Sequence, residues 1–196
     1  MILRRLLSAC LLCAAVEPAF AQSGESPMPF EKGTVEISII GGSSLPISLF
    51  EANEDHRLSM VSLSIGRVMA GSPGKGSLEL LVDVTPFLQV RQPEAVQGWS
   101  VSPLFIRWNF PSIGQGGPRI FGEVTGSLLF TDEPVPARTT TFNFRDEAGF
   151  GVRFEENHRR AWLVGYRFQH ISNAGRVKPN PGANFNFVYL GVSFLR

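Results

Sequence analysis

The sequence predicts an all-β chain that folds as an eight-stranded antiparallel transmembrane β-barrel of outer-membrane type. Eight segments alternate apolar with polar or small residues, which is the pattern of strands whose two faces have different surroundings. In most segments one face is continuously apolar and the other carries charged residues, and over the whole set these charges are of both signs. After residue 21 no apolar run reaches the roughly 20 residues that a membrane-spanning helix needs.

The N-terminus has the features of a secretory signal peptide. Two arginines precede an apolar stretch, and residues 19–21 (Ala-Phe-Ala) have the form of a small-x-small cleavage site. Both cysteines lie in this segment, so the exported chain has neither a disulfide framework nor a thiolate metal site. We divide the chain into a signal peptide (1–21), an N-terminal extension (22–33) and a barrel (34–196). We expect no metal and no other cofactor.

The charge of the chain is close to balanced. It has 18 lysines and arginines against 17 aspartates and glutamates, and a formal net charge of +1. Binding to nucleic acid needs a concentrated basic surface, so nucleic acid is not expected as a partner. A length of 196 residues is enough for one domain with a real core.

The first four predicted strands each place apolar residues at every second position. The positions between them are charged or small: Glu36 in the first strand, Glu79 and Asp83 in the third, and Arg107 in the fourth. The second strand is the least regular, with serines between valine, leucine and isoleucine. The four predicted ranges are 34–41, 57–69, 77–85 and 100–110.

The second four predicted strands repeat this pattern. Charged residues oppose the apolar face at Glu123 in the fifth strand, at Arg145, Glu147 and Arg153 in the sixth, and at Arg167 in the seventh. The eighth strand is apolar on both faces. The four predicted ranges are 119–131, 142–154, 160–172 and 185–194.

The nine charges named above decide between two kinds of barrel. A soluble periplasmic ligand-binding barrel turns its apolar faces inward, and the bulk of the apolar faces here disfavours it. Five acidic and four basic side chains can instead pair inside a small barrel whose apolar faces contact lipid. Long and short connections alternate between the predicted strands, with residues 86–99 among the long ones, as in barrels with long external loops.

The three histidines of the chain differ in their expected surroundings. His56 and His158 lie in predicted connections and are expected to be solvated. His170 lies on the apolar face of the seventh strand, and Ser172 follows on the same face, with Cβ atoms roughly 6–7 Å apart. An imidazole and a hydroxyl on a lipid-facing wall need partners. This pair is either catalytic or an interfacial polar pair at the end of a strand.

The residues around this pair resemble the lipid A 3-O-deacylase family of outer-membrane acyl hydrolases. The resemblance lies in a His-x-Ser-Asn-Ala motif at residues 170–174, followed by Asn-x-Gly at 180–182 and a final strand. It implies an eight-stranded barrel with Ser172 as nucleophile and His170 as general base, on the outside of the barrel near the outer leaflet. It also implies that the Asn173 side chain, with the backbone N–H of Ala174 or Gly175, stabilises the oxyanion.

The chain departs from the family pattern at the third member of the site. The family has an acid shortly after Asn-x-Gly, and the matching residue here is Asn184; no aspartate or glutamate occurs after Glu156. An amide can orient an imidazole but cannot compensate its positive charge. Counting back from a turn at 155–159 places Asp146 opposite residues 168–170, so we expect Asp146 to supply that charge. The alternative is that a bulge or loop turns Asp146 to water.

Two functions follow from these expectations. The first is an outer-membrane esterase that removes the 3-linked acyl chain of lipid A, the lipid part of lipopolysaccharide, in the outer leaflet. The second is a non-catalytic barrel of the same architecture that binds lipid or is structural, because Asn184 replaces the acid. The sequence does not define the oligomeric state.

Overall fold

The computed structural model describes residues 31–45, 47, 56–72, 75–114, 117–157 and 159–196. Each strand pairs antiparallel with the next, and the last pairs with the first to close a barrel, so the predicted fold is confirmed. The predicted signal peptide, and residues 22–30 of the predicted extension, lie outside the described residues. The eight strands are β1 (Val35–Leu45), β2 (Arg57–Ser72), β3 (Gly76–Arg91), β4 (Ala95–Ser112), β5 (Arg119–Thr131), β6 (Phe142–Asn157), β7 (Arg160–Ser172) and β8 (Ala183–Leu195).

The two faces of the strands have the surroundings that the alternation predicted. Large apolar side chains point outward and are well exposed, among them Ile65, Leu104 and Phe150. A continuous apolar outer wall suits the hydrocarbon of a bilayer. Within the described residues no helix is long and apolar enough to cross a membrane. The nine charged residues singled out in the sequence all lie inside the barrel and are at most 7% exposed: Glu36, Glu79, Asp83, Arg107, Glu123, Arg145, Glu147, Arg153 and Arg167.

Ion pairs join eight of the nine buried charges into one network, and the ninth, Asp83, accepts hydrogen bonds from Ser64 and Thr85. Arg107 contacts Glu36 at 2.9 Å (Nη1 to Oε1) and Glu123 at 3.2 Å (Nε to Oε2). Arg167 contacts the other oxygen of Glu123 at 2.7 Å and reaches Glu147 at 3.2 Å. Burying charges is costly unless they are paired and hydrogen-bonded, so the network is what makes a charged interior tolerable.

The interior is apolar at the end of the barrel where β7 ends and β8 begins. Leu58 near the start of β2, Leu88 near the end of β3, Leu129 near the end of β5, Ile171 near the end of β7 and Phe185 near the start of β8 belong to one buried cluster. These side chains fill the barrel at the level where β7 ends and β8 begins. The packed core therefore fixes the backbone that carries the site described below.

The predicted connection at 86–99 is wrong. β3 continues to Arg91 and β4 begins at Ala95, so only residues 92–94 join them. The β3–β4 register shifts between Thr85 and Leu88, and the inward positions of β3 change there from odd to even numbers. A β-bulge inserts one unpaired residue and reverses the phase of the alternation, which ends a strict period-2 pattern without ending the strand. The alternation of long and short connections fails at this point.

Candidate active site

β7 brings His170 and Ser172 to the outward side of the barrel, close to the end of the strand. Ser172 is the last residue of β7, and the two side chains are two positions apart on one face, as predicted. The imidazole is half-buried, and Ser172 is only 9% exposed. The hydroxyl thus lies in a confined position on the barrel wall.

The imidazole of His170 is held by β8. Asn184 is directly opposite His170 in the β7–β8 pair, and its Oδ1 lies 2.6 Å from Nδ1 of the ring. An amide oxygen can only accept a hydrogen bond, so Nδ1 carries the proton and donates it. This tautomer leaves Nε2 unprotonated, which is the state that a general base needs. Asn184, which stands where the family pattern has an acid, thus contacts Nδ1 of the ring.

Gly182 lies against the Cε1 edge of the same ring. Its φ is +69°, in the region that glycine adopts without steric cost, and a Cβ at this position would lie 2.7 Å from Cε1 of His170. Only glycine satisfies both the backbone conformation and the contact. Gly182 and Asn184 together leave the imidazole little freedom to rotate.

Asp146 lies directly opposite His170 on the other side, in the β6–β7 pair. Its side chain is exposed on the outward face, and its Oδ1 lies 3.2 Å from the position that a Cβ on Gly126 would take. The carboxylate oxygen thus approaches β5, whereas the imidazole leans toward β8. One row across β6, β7 and β8 contains a carboxylate, an imidazole and an amide, with the imidazole in the middle.

The connection after Ser172 is stabilised by Asn173. This side chain is fully buried, and its Nδ2 donates to the carbonyl of Val177 at 2.9 Å. Its backbone N–H donates to Oδ1 of Asn180 at 3.1 Å. Ala174 and Gly175 follow with φ values of +56° and +73°. The Asn173 amide is thus engaged within the connection, and the oxyanion role assigned to residues 173–175 stays a prediction.

An aromatic row marks the level of Ser172 on the barrel wall. Trp99 stacks on Phe130 at a centroid distance of 4.5 Å, and Phe130 contacts Phe142 at 4.9 Å. Phe142 contacts Phe144 at 5.5 Å, and Phe144 is directly opposite Ser172. Aromatic side chains concentrate at the boundary between hydrocarbon and headgroups. The row therefore places Ser172 near that boundary.

Sequence reasoning missed a second polar chain beside the site. Tyr166 donates its hydroxyl hydrogen to Asn186 Oδ1, and Asn186 Nδ2 donates to the carbonyl of Ile47 at 3.0 Å. Asn186 is fully buried although it takes an outward position in β8. The sequence signal was available, because Asn186 shares a face with Asn184. Of the other histidines, His56 lies just before β2, whereas His158 lies outside the described residues.

Among the described residues no group of three or more His, Cys, Asp or Glu side chains has an arrangement that could hold a metal ion. The groups that the structure brings together on this part of the wall are the Ser172 hydroxyl and the His170 imidazole, with Asn184 and Asp146 opposite His170 in the two neighbouring strands.

Comparison with known proteins places this chain in a family. The sequence model of the lipid A 3-O-deacylase (PagL) family matches residues 84–193. A solved structure described as the crystal structure of the outer membrane enzyme PagL is 17% identical, with a TM-score of 0.56, and the match covers 80% of this chain and 97% of that one. The N-terminal β-barrel domain of Pseudomonas aeruginosa OprF is 14% identical, with a TM-score of 0.47 and coverages of 84% and 98%. No curated protein matches the sequence. Because the family model spans more than half of the chain and the whole of the site, the chain belongs to the lipid A 3-O-deacylase (PagL) family.

Proposed function

We propose that this chain is an outer-membrane esterase that hydrolyses the 3-O-linked acyl chain of lipid A, with Ser172 as nucleophile and His170 as general base. Membership of the family supports a hydrolase that acts on lipid A. The observation that carries the serine mechanism is the hydrogen bond from His170 Nδ1 to Asn184, which leaves Nε2 as an acceptor on the face that carries Ser172. Export through the signal peptide at 1–21 is part of the same proposal.

The chemistry is an acyl transfer in two steps. Ser172 Oγ attacks the ester carbonyl while His170 Nε2 takes the hydroxyl proton. The tetrahedral intermediate collapses when the C–O bond to the sugar breaks, and the imidazolium returns the proton to the departing sugar oxygen. Water then attacks the acyl-serine, with the same nitrogen as base; the bond between the acyl carbon and Ser172 Oγ breaks, the imidazolium returns the proton to Oγ, and the fatty acid is released. In both steps the Asn173 side chain, with the backbone N–H of Ala174 or Gly175, stabilises the negative oxygen.

Asn184 and Asp146 together perform two functions, orienting the imidazole and stabilising its positive charge, that one acid performs elsewhere in the family. Asn184 orients the ring through Nδ1 but carries no charge. Asp146, opposite the same histidine, supplies a negative charge that stabilises the imidazolium through space. Its approach toward Gly126 favours this electrostatic role over a direct hydrogen bond to the ring.

The position of the site supports a lipid substrate. A nucleophile for an ester at the base of an acyl chain is best placed on the outer wall, at the boundary between hydrocarbon and headgroups. Ser172 lies on that wall beside the aromatic row. A lipid in the outer leaflet can therefore present its ester without leaving the membrane.

The proposal is tested by expressing the chain in a bacterial outer membrane and analysing lipid A by mass spectrometry. The expected result is loss of one hydroxyacyl chain, which disappears in Ser172→Ala. Ser43→Ala is the matched control, because Ser43 is an outward, exposed serine of β1 away from the site. If Ser172→Ala deacylates lipid A as fast as the unchanged chain, the serine mechanism is wrong.

The second candidate is a non-catalytic barrel that binds lipid or is structural. The observation that favours it is that an amide, Asn184, takes the position next to Nδ1 where a carboxylate is expected. Unchanged lipid A in cells that contain folded, heat-modifiable protein supports this candidate. Mass spectrometry of lipid A from the same cells therefore distinguishes the two candidate functions.

A further inference from the structure

Arg176, in the connection between β7 and β8, is held against the barrel wall by aromatic rings. Its guanidinium carbon lies 4.5 Å from the ring centre of Phe142 and 5.6 Å from that of Phe144. Its Nη2 donates to the backbone carbonyl of Phe142 at 3.3 Å. An arginine that is stacked and hydrogen-bonded in this way has lost much of its side-chain freedom before any ligand arrives.

The charge of Arg176 is not neutralised by its surroundings. Throughout the part of the chain that the structure describes, every ion pair of an arginine involves other residues. The connection at 173–182 also contains Lys178 and no acidic residue. The Arg176 side chain is exposed, so most of its five N–H donors are available to an anion.

The guanidinium lies close to the proposed nucleophile. Phe144, which it covers, is directly opposite Ser172 in the β6–β7 pair, and side chains at opposite positions are about 5 Å apart at Cβ. Arg176 and Ser172 are therefore separated by on the order of 10 Å along the wall. An ester and a phosphate on the same sugar are joined through the ring and their own linking bonds, so one substrate molecule can present the phosphate to Arg176 and the ester to Ser172.

We infer that Arg176 binds a phosphate group on the sugar of the glycolipid substrate and thereby positions the neighbouring ester at Ser172. The planar fork of a guanidinium matches phosphate oxygens and forms charge-assisted hydrogen bonds with them. The aromatic row lets a strongly basic group remain at the membrane boundary, because the rings bury its flat face and leave its edge in the headgroup layer. This inference rests on the proposed function and adds a determinant of substrate specificity to it.

The test uses binding by full-length Ser172→Ala protein in mixed micelles, so that its outcome does not depend on hydrolysis. The probes are lipid A with its phosphates and the same lipid after the phosphates are removed. Arg176→Gln is expected to weaken binding of the phosphorylated lipid about tenfold and to leave binding of the dephosphorylated lipid unchanged. Arg176→Lys keeps the charge but lacks the planar fork, and its affinity for the phosphorylated lipid is expected to lie between those of the chains with arginine and with glutamine at this position. Arg138→Gln, an exposed arginine of the β5–β6 connection, is the control and is expected to have no effect.

Three results overturn the inference. Equal weakening for both lipids means that Arg176 only supports its connection, and no change for either lipid means that it does not contact substrate. Displacement of lipid A by excess inorganic phosphate means that the site binds the free ion. In the chain with Ser172 intact, the inference also requires that Arg176→Gln raises KM for phosphorylated lipid A with little change in kcat. A chain that binds as expected but releases no fatty acid contradicts the proposed function and leaves this inference standing.

Discussion

Asp146 lies directly opposite His170 on the outward side of the barrel, yet the imidazole directs its Nδ1 hydrogen bond to Asn184 on the other neighbouring strand. In the proposed mechanism the functions that one carboxylate combines in a serine hydrolase, orientation and charge compensation, come from two residues on two strands. This separation makes the two contributions measurable one at a time.

Replacing Asp146 with asparagine is expected to lower kcat roughly fivefold to tenfold. The change removes a negative charge near the imidazolium that forms in the transition state, and such an interaction across a partly solvated wall is worth about 1 kcal/mol. The measurement is the rate of fatty-acid release from lipid A by purified protein. Glu156→Gln is the control, because Glu156 is an exposed acid near the opposite end of the barrel. An unchanged kcat in Asp146→Asn removes Asp146 from the mechanism.

Replacing Asn184 with aspartate is expected to raise kcat by about tenfold or more, because a carboxylate next to Nδ1 both orients the ring and stabilises its charged form. Asn184→Leu loses the orienting bond and is expected to lower kcat below that of the unchanged chain. In the Asn184→Asp background the effect of Asp146→Asn shrinks, since the second charge becomes redundant. Equal effects of Asp146→Asn in both backgrounds indicate that the two residues act independently.

The strands were predictable from the sequence wherever the alternation is uninterrupted. The predicted bounds of β5 and β7 agree with the structure to the residue. β3 and β4 were predicted too short, because a bulge in each strand, between Thr85 and Leu88 in β3 and between Val101 and Leu104 in β4, changes which positions face inward. Period-2 patterns carry no information about such a phase change until the partner strand is known.

Within the site, only the relations inside one strand or across one hairpin were predictable from the sequence. His170 and Ser172 share a face because of their spacing in one strand, and counting across a single hairpin brought Asp146 opposite His170. The contact of Gly182 with the imidazole and the stacking of Arg176 on Phe142 depend on the path of a connection. No spacing rule specifies that path, so these contacts required the structure.

Replacing Glu123 with glutamine is expected to destabilise the barrel by about 3–5 kcal/mol. Glu123 accepts hydrogen bonds from Arg167 at 2.7 Å, from Arg107 at 3.2 Å and from Tyr189 at 2.7 Å, all in the buried interior. Removing its charge leaves two buried guanidinium groups without full compensation. Urea unfolding in lipid vesicles measures the change, with Glu156→Gln as an exposed control expected to have no measurable effect. A stability equal to that of the unchanged chain means that the remaining carboxylates compensate both arginines.

Replacing Gly182 with alanine is expected to lower kcat by about a hundredfold while the barrel still folds. The added Cβ would lie 2.7 Å from Cε1 of His170, so the ring must move away from its bond with Asn184. Displacing a catalytic group by about 1 Å costs on the order of a hundredfold in rate. Gly114→Ala separates this contact from backbone strain, because Gly114 has a similar φ of +74° but nothing within 4 Å of the Cβ position. Both variants are expected to lose about 1 kcal/mol of stability from the positive φ, and only Gly182→Ala is expected to lose activity. If the two variants are equally active, the contact between Gly182 and the ring does not determine the position of the base.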